Sequence, residues 1–269
     1  MGARTGSQFL EGLRKTKREI WVDGEKIEDV TSHPKLRGGA ESLAAIFDRQ
    51  HDYAADCLYT DPDSGLPTNV SHMIPRDREA LRRRHAGLVR LSEGSMGIMG
   101  RTPDYMNMKF AAFASAPGVW AGADGRNERG AQNLVAFQRR LAEKDLSLTH
   151  TIIQPTIDKR TDARILGNKV TVRKVGQTAD GIIVRGARVL ATLAPYADEQ
   201  TVYPGQPIPA GATEYALAFA LPLDTPGLKF LCRDSVAAPG ADPFDKPLSS
   251  RFDEQDAFCI FDDVLVPWD

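Results

Sequence analysis

The spacing of apolar positions changes character once along this 269-residue chain. Up to about residue 145 apolar residues recur at helical intervals. Beyond it they come in short β-branched or aromatic runs separated by turn residues. SQFLEGLRKTKREI (7–20) sets Phe9, Leu10, Leu13 and Ile20 on a charged background and predicts a helix. IWVDGEKIEDV (20–30) predicts a hairpin that turns at Asp23-Gly24. A long helix is expected over 41–59, with Leu43, Ile46, Phe47, Tyr53 and Leu58 roughly on one side. TDPDSGLPTNVSHMIP (60–75) is too rich in Pro, Gly, Asp and Ser to be anything but a loop. Further helices are expected over about 75–93, 103–116 and 127–145.

After Asp145 the runs LSLTHTIIQP, NKVTVRKV, GIIVRGARVLATLA, YALAFALPL, LKFLCR and AFCIFDDVLVPW read as strands of an antiparallel barrel or sandwich. The expected architecture is therefore α+β in two parts: an all-helical domain over 1–145 and an antiparallel β-barrel domain over 146–269. The final DDVLVPWD reads as a strand that leads onward, as in a piece of a longer protein.

Composition narrows the function classes. Apolar residues make up 42% and charged residues 26%, and the net charge is −2, as in ordinary globular proteins. The one basic run, RDREALRRRH (76–85), mixes acids with bases in the manner of a solvated helix face, which argues against nucleic-acid binding. MGARTGSQFL lacks the apolar core of a signal peptide, and Gly6 stands where a myristoylation signal needs Ser or Thr. No apolar run approaches the ~18–20 residues that span a bilayer. Cys57, Cys232 and Cys259 are odd in number and far apart, which fits a reducing compartment. A cytoplasmic protein without membrane attachment is expected.

The richest stretch for chemistry is GIMGRTPDYMNMKF around position 100. Pro103 suits the first helical position and pushes Thr102 out of helical geometry, which makes Thr102 the N-cap. Asp104 in the first turn complements the helix dipole. Arg101 stands where an apolar residue often staples the cap. Two readings fit: a capped helix with a surface arginine, or a helix N-terminus, a guanidinium and a phenol hydroxyl gathered around a small anionic or hydroxyl-bearing ligand. His150, in LSLTHTIIQP, shares a strand face with Leu148 and Ile152. It is either a buried histidine satisfied by one hydrogen bond or a site residue. The other histidines (33, 51, 72, 85) fall in loops or on charged helices, and none forms an HxxxH or HExxH pair, so no metal site is expected. GSMGIMG (94–100) matches neither GxGxxG nor a P-loop, and no GxSxG occurs. A nicotinamide site is not supported.

GRTPDYMN (100–107), THTIIQPTIDK (149–159), GARVLATLAPYADE (186–199) and PLSSRFDEQDAFCIFDDVLVPW (247–268), taken together, resemble the oxygenase components of two-component flavin-dependent aromatic hydroxylases, the 4-hydroxyphenylacetate 3-monooxygenase family. The resemblance extends from SQFLEGL to Trp268. It implies an acyl-CoA-dehydrogenase-like fold whose N-terminal helical domain and middle β-barrel are present here and whose C-terminal helical bundle is absent. It implies that Arg101, Tyr105 and His150 surround the phenol hydroxyl of a substrate. His150, Thr151, Ile152, Thr156, Ile157, Asp158, Lys159 and Thr192 would line FAD, which is used in its reduced form with O2 as co-substrate. The loop EQTVYPGQPIPAGA (199–212) would close over the substrate, with Tyr203, Gly205 and Gln206 as substrate contacts. A separate NAD(P)H-flavin reductase would supply the reduced flavin, which accords with the missing dinucleotide fingerprint. A dimer or tetramer is expected where the bundle is present.

Two other readings carry their own requirements. A 4-hydroxybutyryl-CoA dehydratase type, with FAD and an iron–sulfur cluster, needs cysteine ligands near the first motif, and positions 95–110 contain none. A truncated or split-gene chain without the bundle would be non-catalytic alone.

Overall fold

The computed structural model describes residues 2–155, 169–236, 240, 242 and 244–269. The chain divides into two compact units, each drawn from separated stretches. The first comprises Met1–Gly12, Arg37–Ser147 and Ala241–Asp253; the second comprises Leu13–Leu36, Leu148–Gly240 and Glu254–Asp269.

The first unit is built on helices. After α1 (Gly6–Lys15), whose first residues belong here, come α2 (Arg37–Asp52), the short α3 (Ala54–Cys57), α4 (Arg78–Glu93), α5 (Pro103–Ala114), the short α6 (Pro117–Ala121) and α7 (Glu128–Lys144). Phe9, Leu43, Phe47, Leu91, Met106, Phe110 and Leu141 are buried in it. Phe9 stacks on Phe47 with centroids 4.7 Å apart, and Phe110 meets Phe137 edge-on at 5.1 Å. The expected 41–59 helix starts earlier and stops at Asp52. The stretch 60–75 is not wholly loop: β4 (Pro67–Asn69) pairs antiparallel with β3 (Leu58–Thr60), and Val70–His72 forms a 3-10 turn. The strand is fixed by its pairing and the turn by the Asn69 side chain, which accepts from the Ser71 amide, rather than by periodicity. Asp145 ends α7 in the left-handed conformation at φ 48°.

The second unit holds two sheets. β1 (Glu19–Val22) and β2 (Glu25–Ile27) form the expected hairpin. Asp23 and Gly24 both take positive φ, 54° and 80°, the combination a two-residue turn needs. β1 then runs parallel to β10 (Leu228–Cys232), Ile20 opposite Phe230, so this N-terminal hairpin joins the β unit. β10 pairs with β11 (Asp256–Pro267), β11 with β7 (Gly181–Thr192), and β7 with β6 (Arg173–Gln177). The sheet order is β2-β1-β10-β11-β7-β6. Gly186, at φ 127°, lies where a Cβ would come within 2.5 Å of the Thr171 carbonyl oxygen, so only glycine fits. The second sheet places β8 (Glu199–Val202) between β5 (Leu148–Thr151) and β9 (Phe219–Pro222). The two sheets face each other where the Gln200 amide meets Cys259 Sγ at 3.1 Å and Phe219 sits edge-on to Phe261.

The pairing corrects the expected all-antiparallel arrangement. β1 with β10 and β5 with β8 are parallel pairs. Among the described residues the strands form two open sheets rather than a closed barrel. Alternation of apolar residues reports which face of a strand is buried. It carries no information on strand direction.

Candidate functional site

In the first unit, α5 begins as its sequence predicts, with Pro103 at the first position and Thr102 extended at φ −87° and ψ 163°. The Thr102 side chain, however, accepts no capping hydrogen bond from the helix amides. Its hydroxyl interacts with the Asp104 carboxyl instead. Arg101 is half-buried and lays its guanidinium over the Tyr105 ring, 4.6 Å from the centroid. Arg101 and Tyr105 are thus assembled as a pair. Lys109 extends the same four-residue stripe, and burial first and the Arg101 charge second push its ammonium below the ordinary range. Two cationic side chains, Arg101 and Lys109, thus flank Tyr105 along one stripe. The i, i+4, i+8 spacing of Arg101, Tyr105 and Lys109 is the sequence signal that could have drawn attention to Lys109.

Asp104 departs from its expected role as an ionised partner of the helix dipole. Burial pushes its carboxyl above the ordinary range, against the Thr102 hydroxyl and its own amide, and its Oδ1 is buried with no hydrogen-bond partner. A small cavity beside it is lined by Gln50, Asn69, Ser71, Asn107 and Asp145 among others. Asp145 Oδ2 accepts from the Arg4 amide (2.9 Å) and the Gln50 side chain (2.8 Å), and Oδ1 lies 3.4 Å from His72 Nε2. Burial alone would raise this carboxyl. The His72 hydrogen bond and charge, the Arg4 charge and the Gln50 amide outweigh that and hold it below the ordinary range. His72, expected in a loop, is buried in this cluster. Its partner is 73 residues away in sequence, beyond the reach of any spacing rule.

In the second unit, His150 sits on β5, whose four residues are all buried, and is itself 7% exposed. Thr201 lies opposite it on β8. Its ring runs near-parallel to that of Tyr203, with centroids 6.0 Å apart and planes inclined by 10°. Gly205 approaches Ile152 so closely that a Cβ would lie 3.2 Å from the Ile152 carbonyl oxygen. His150 thus meets Tyr203, and Ile152 meets Gly205, while Gly205 and Gln206 are both exposed. The expected 199–212 loop begins only at Tyr203, since Glu199–Val202 is the buried middle strand of its sheet. The Thr151 hydroxyl donates to the Val189 carbonyl (2.8 Å), and that of Thr192 donates to Asp256 Oδ1 (2.5 Å). Both hydroxyls are engaged in the fold itself. Thr156, Ile157, Asp158 and Lys159 lie outside the described residues.

Arg188 was not expected. It is fully buried on β7 and donates from Nη1 to the Ile152 carbonyl at 3.2 Å, while Nε and Nη2 have no partner. Burial pulls its guanidinium down to about 10. Gln154 Oε1 is likewise buried and unpartnered. Arg101 and Tyr105 belong to one unit and His150 to the other, and each group is described by itself. Among the described residues no cluster of three or more His, Cys, Asp or Glu suited to a metal is found, and no helix is long and apolar enough to cross a membrane.

A mixed α/β chain with these motifs matches one family model, described as 4-hydroxyphenylacetate 3-hydroxylase N terminal, over residues 5–269. The chain belongs to that family. It is 41% identical over 268 residues to the 4-hydroxyphenylacetate 3-monooxygenase oxygenase component of Thermus thermophilus, covering 99% of this chain and 54% of that protein. It is 35% identical over 277 residues to the FADH(2)-dependent monooxygenase TftD of Burkholderia cepacia, covering 99% and 52%. The crystal structure of the oxygenase component (HpaB) of 4-hydroxyphenylacetate 3-monooxygenase complexed with FAD and 4-hydroxyphenylacetate superposes with a TM-score of 0.88 at 40% identity, over 99% of this chain and 54% of that one. The chain spans about half the length of the relatives it matches.

Proposed function

We propose that this chain supplies the phenol-binding and much of the flavin-binding surface of an FADH2-dependent monooxygenase that hydroxylates a phenol ortho to its hydroxyl, with 4-hydroxyphenylacetate as the leading substrate. Membership of the family carries the reading. The pairing of Arg101 with Tyr105, and of His150 with Tyr203, supports it. The activity is proposed for the assembly that contains this chain. We further propose an acyl-CoA-dehydrogenase-like arrangement with barrel closure, a homo-oligomer, a separate NAD(P)H-flavin reductase and a cytoplasmic setting.

The residues present suit a ligand that carries both hydrogen-bonding and anionic groups, as FAD does. Arg188 offers two unpartnered buried donors beside Ile152, and Gln154 a buried acceptor. With the Thr151 and Thr192 hydroxyls engaged, these two residues would contribute backbone and surface to the site. Bound in its reduced form, FAD supplies electrons to O2 and so an electrophilic oxygen. The chain's own task is to make the phenol nucleophilic. A free phenol has a pKa of ~10, so ionisation near pH 7 requires about 4 kcal/mol of differential stabilisation. One hydrogen bond from a charged donor contributes ~1.5–3 kcal/mol. Arg101 stabilises the developing phenolate, Tyr105 positions it, and His150 hydrogen-bonds the phenol oxygen or accepts its proton.

Assays of a panel of phenols with a generic flavin reductase test this reading. Arg101→Ala is expected to lower hydroxylation by about 100-fold while FAD affinity stays nearly unchanged. Parallel loss of both would make Arg101 structural and overturn its assignment.

A further inference from the structure

Behind the first turn of α5 lies a buried chain of polar side chains. Asn107 Nδ2 donates to Ser71 Oγ (3.2 Å), the Ser71 amide to Asn69 Oδ1 (2.9 Å), Asn69 Nδ2 to Gln50 Oε1 (2.8 Å), and Gln50 Nε2 to Asp145 Oδ2 (2.8 Å). Every residue of this chain is buried. Two residues that line the adjoining cavity break the pattern: Asp104 Oδ1 and Asn107 Oδ1 are buried acceptors without partners, and Asn107 is only 2% exposed. An unsatisfied buried polar group costs about 1–3 kcal/mol, so two on the lining of one cavity, three residues apart on α5, call for a donor there. The cavity has room for about one water molecule. Water carries two donors, which matches two acceptors.

We infer that this cavity binds one water molecule that donates to Asp104 Oδ1 and Asn107 Oδ1, and that Asp104 is thereby a positioning residue for Arg101 and Tyr105. The positional part rests on the phenol-binding reading above; the water site does not. Asp104 follows Pro103 in the first turn, so whatever fixes its carboxyl fixes the turn that presents Tyr105 and the residue before the cap. Asp145, held ionised by His72, Arg4 and Gln50, lines the same cavity. Ionisation of Asp104 in the same cavity is opposed by its burial. A change in the charge of Asp104 alters how its carboxyl holds this water and so shifts the turn. Asp145, at the end of α7, lines the cavity with Asp104 and in turn meets His72 on the 3-10 turn and the Arg4 charge, and Cys57 on α3 interacts with the Asp104 charge. Burial pushes the Cys57 thiol up to about 11, so it stays protonated through the neutral range.

Two measurements on the wild-type chain, neither requiring FAD or a phenol, test the inference apart from the functional reading. A crystal structure fine enough to place waters is expected to show one within hydrogen-bond distance of both Oδ1 atoms. An empty cavity, or an Asp104 carboxyl turned to solvent, overturns the site. NMR titration is expected to give an Asp104 carboxyl midpoint above the ordinary carboxylate value, with the amides of 101–105 shifting at the same midpoint. In Asp104→Asn that amide titration is expected to vanish, with the shifts held at the low-pH values of wild type. Amides that do not follow the carboxyl, or that titrate unchanged in Asp104→Asn, remove Asp104 from its positioning role.

Discussion

The two units hold their candidate residues by different means. Arg101 and Tyr105 ride on the first turn of a helix backed by a side-chain network in which Asp145 alone gathers the Arg4 amide, Gln50 and His72. His150 rides on a strand fixed by backbone ladders, with β8 parallel on one side and β7 reached through the Thr149 and Thr151 hydroxyls. A side-chain network has a hub that one substitution can remove, whereas a ladder spreads the same restraint over many amides. The helical side is therefore the one that side-chain chemistry can tune, and the β side is vulnerable where the backbone itself is constrained.

Asp145→Ala sharpens that contrast most. Removing a buried carboxylate with three partners is expected to cost ~3–5 kcal/mol, read as a lower urea midpoint. The β-side counterpart is Gly186→Ala, where both the positive φ and the approach to the Thr171 carbonyl oppose a Cβ. A loss of ~2 kcal/mol or more is expected from it. Should Asp145→Ala prove neutral while Gly186→Ala unfolds the chain, the network would not be the helical unit's restraint.

A subtler break separates the two carboxyls of the cavity by pH. Asp145 is lowered in the folded state, so its stabilisation is present above the unfolded value of ~3.9 and is lost as pH falls through the folded value. Asp104 is raised, so its contribution is present below ~3.9 and is lost as pH rises through the folded value. Urea unfolding across pH is expected to show Asp104→Asn gaining on wild type as pH rises, and Asp145→Asn losing its deficit toward acid. The smallest expected effect is on the ladder side. Thr151→Val keeps the shape and removes one hydroxyl bond to Val189, for a loss of about 1 kcal/mol in the same assay.

What the sequence conveyed tracks the range of the forces involved. The start of α5 is local: Thr102-Pro103 sets its backbone, and the structure keeps it within a residue. The hairpin at Asp23-Gly24 is also local, yet its membership of the β unit depends on pairing with β10 some 200 residues on. Apolar periodicity cannot register such pairing. The same limit hid β4 and the parallel strands, while the five-residue α6 is too short to show a helical period. Arg101, Tyr105 and His150 could be singled out because each is chemically out of place in its segment. Asp104 was visible but misjudged, since capping rules assume a solvated carboxylate. Arg188 gave no signal: it lies in GIIVRGARVLAT beside Arg185, an arginine that is exposed and paired with Asp263.

The proposed role of Arg101 is to lower the pKa of a bound phenol. It is tested most directly by the ultraviolet absorbance of a 4-substituted phenol held by the FAD-loaded assembly that contains this chain, titrated from pH 5 to about 10 in wild type and in Arg101→Ala. The expected result is a phenolate band that grows in well below the free value of ~10 in wild type and returns toward ~10 in the variant. A bound phenol that stays neutral to ~10 in wild type, or that titrates identically in both proteins, would contradict the claim.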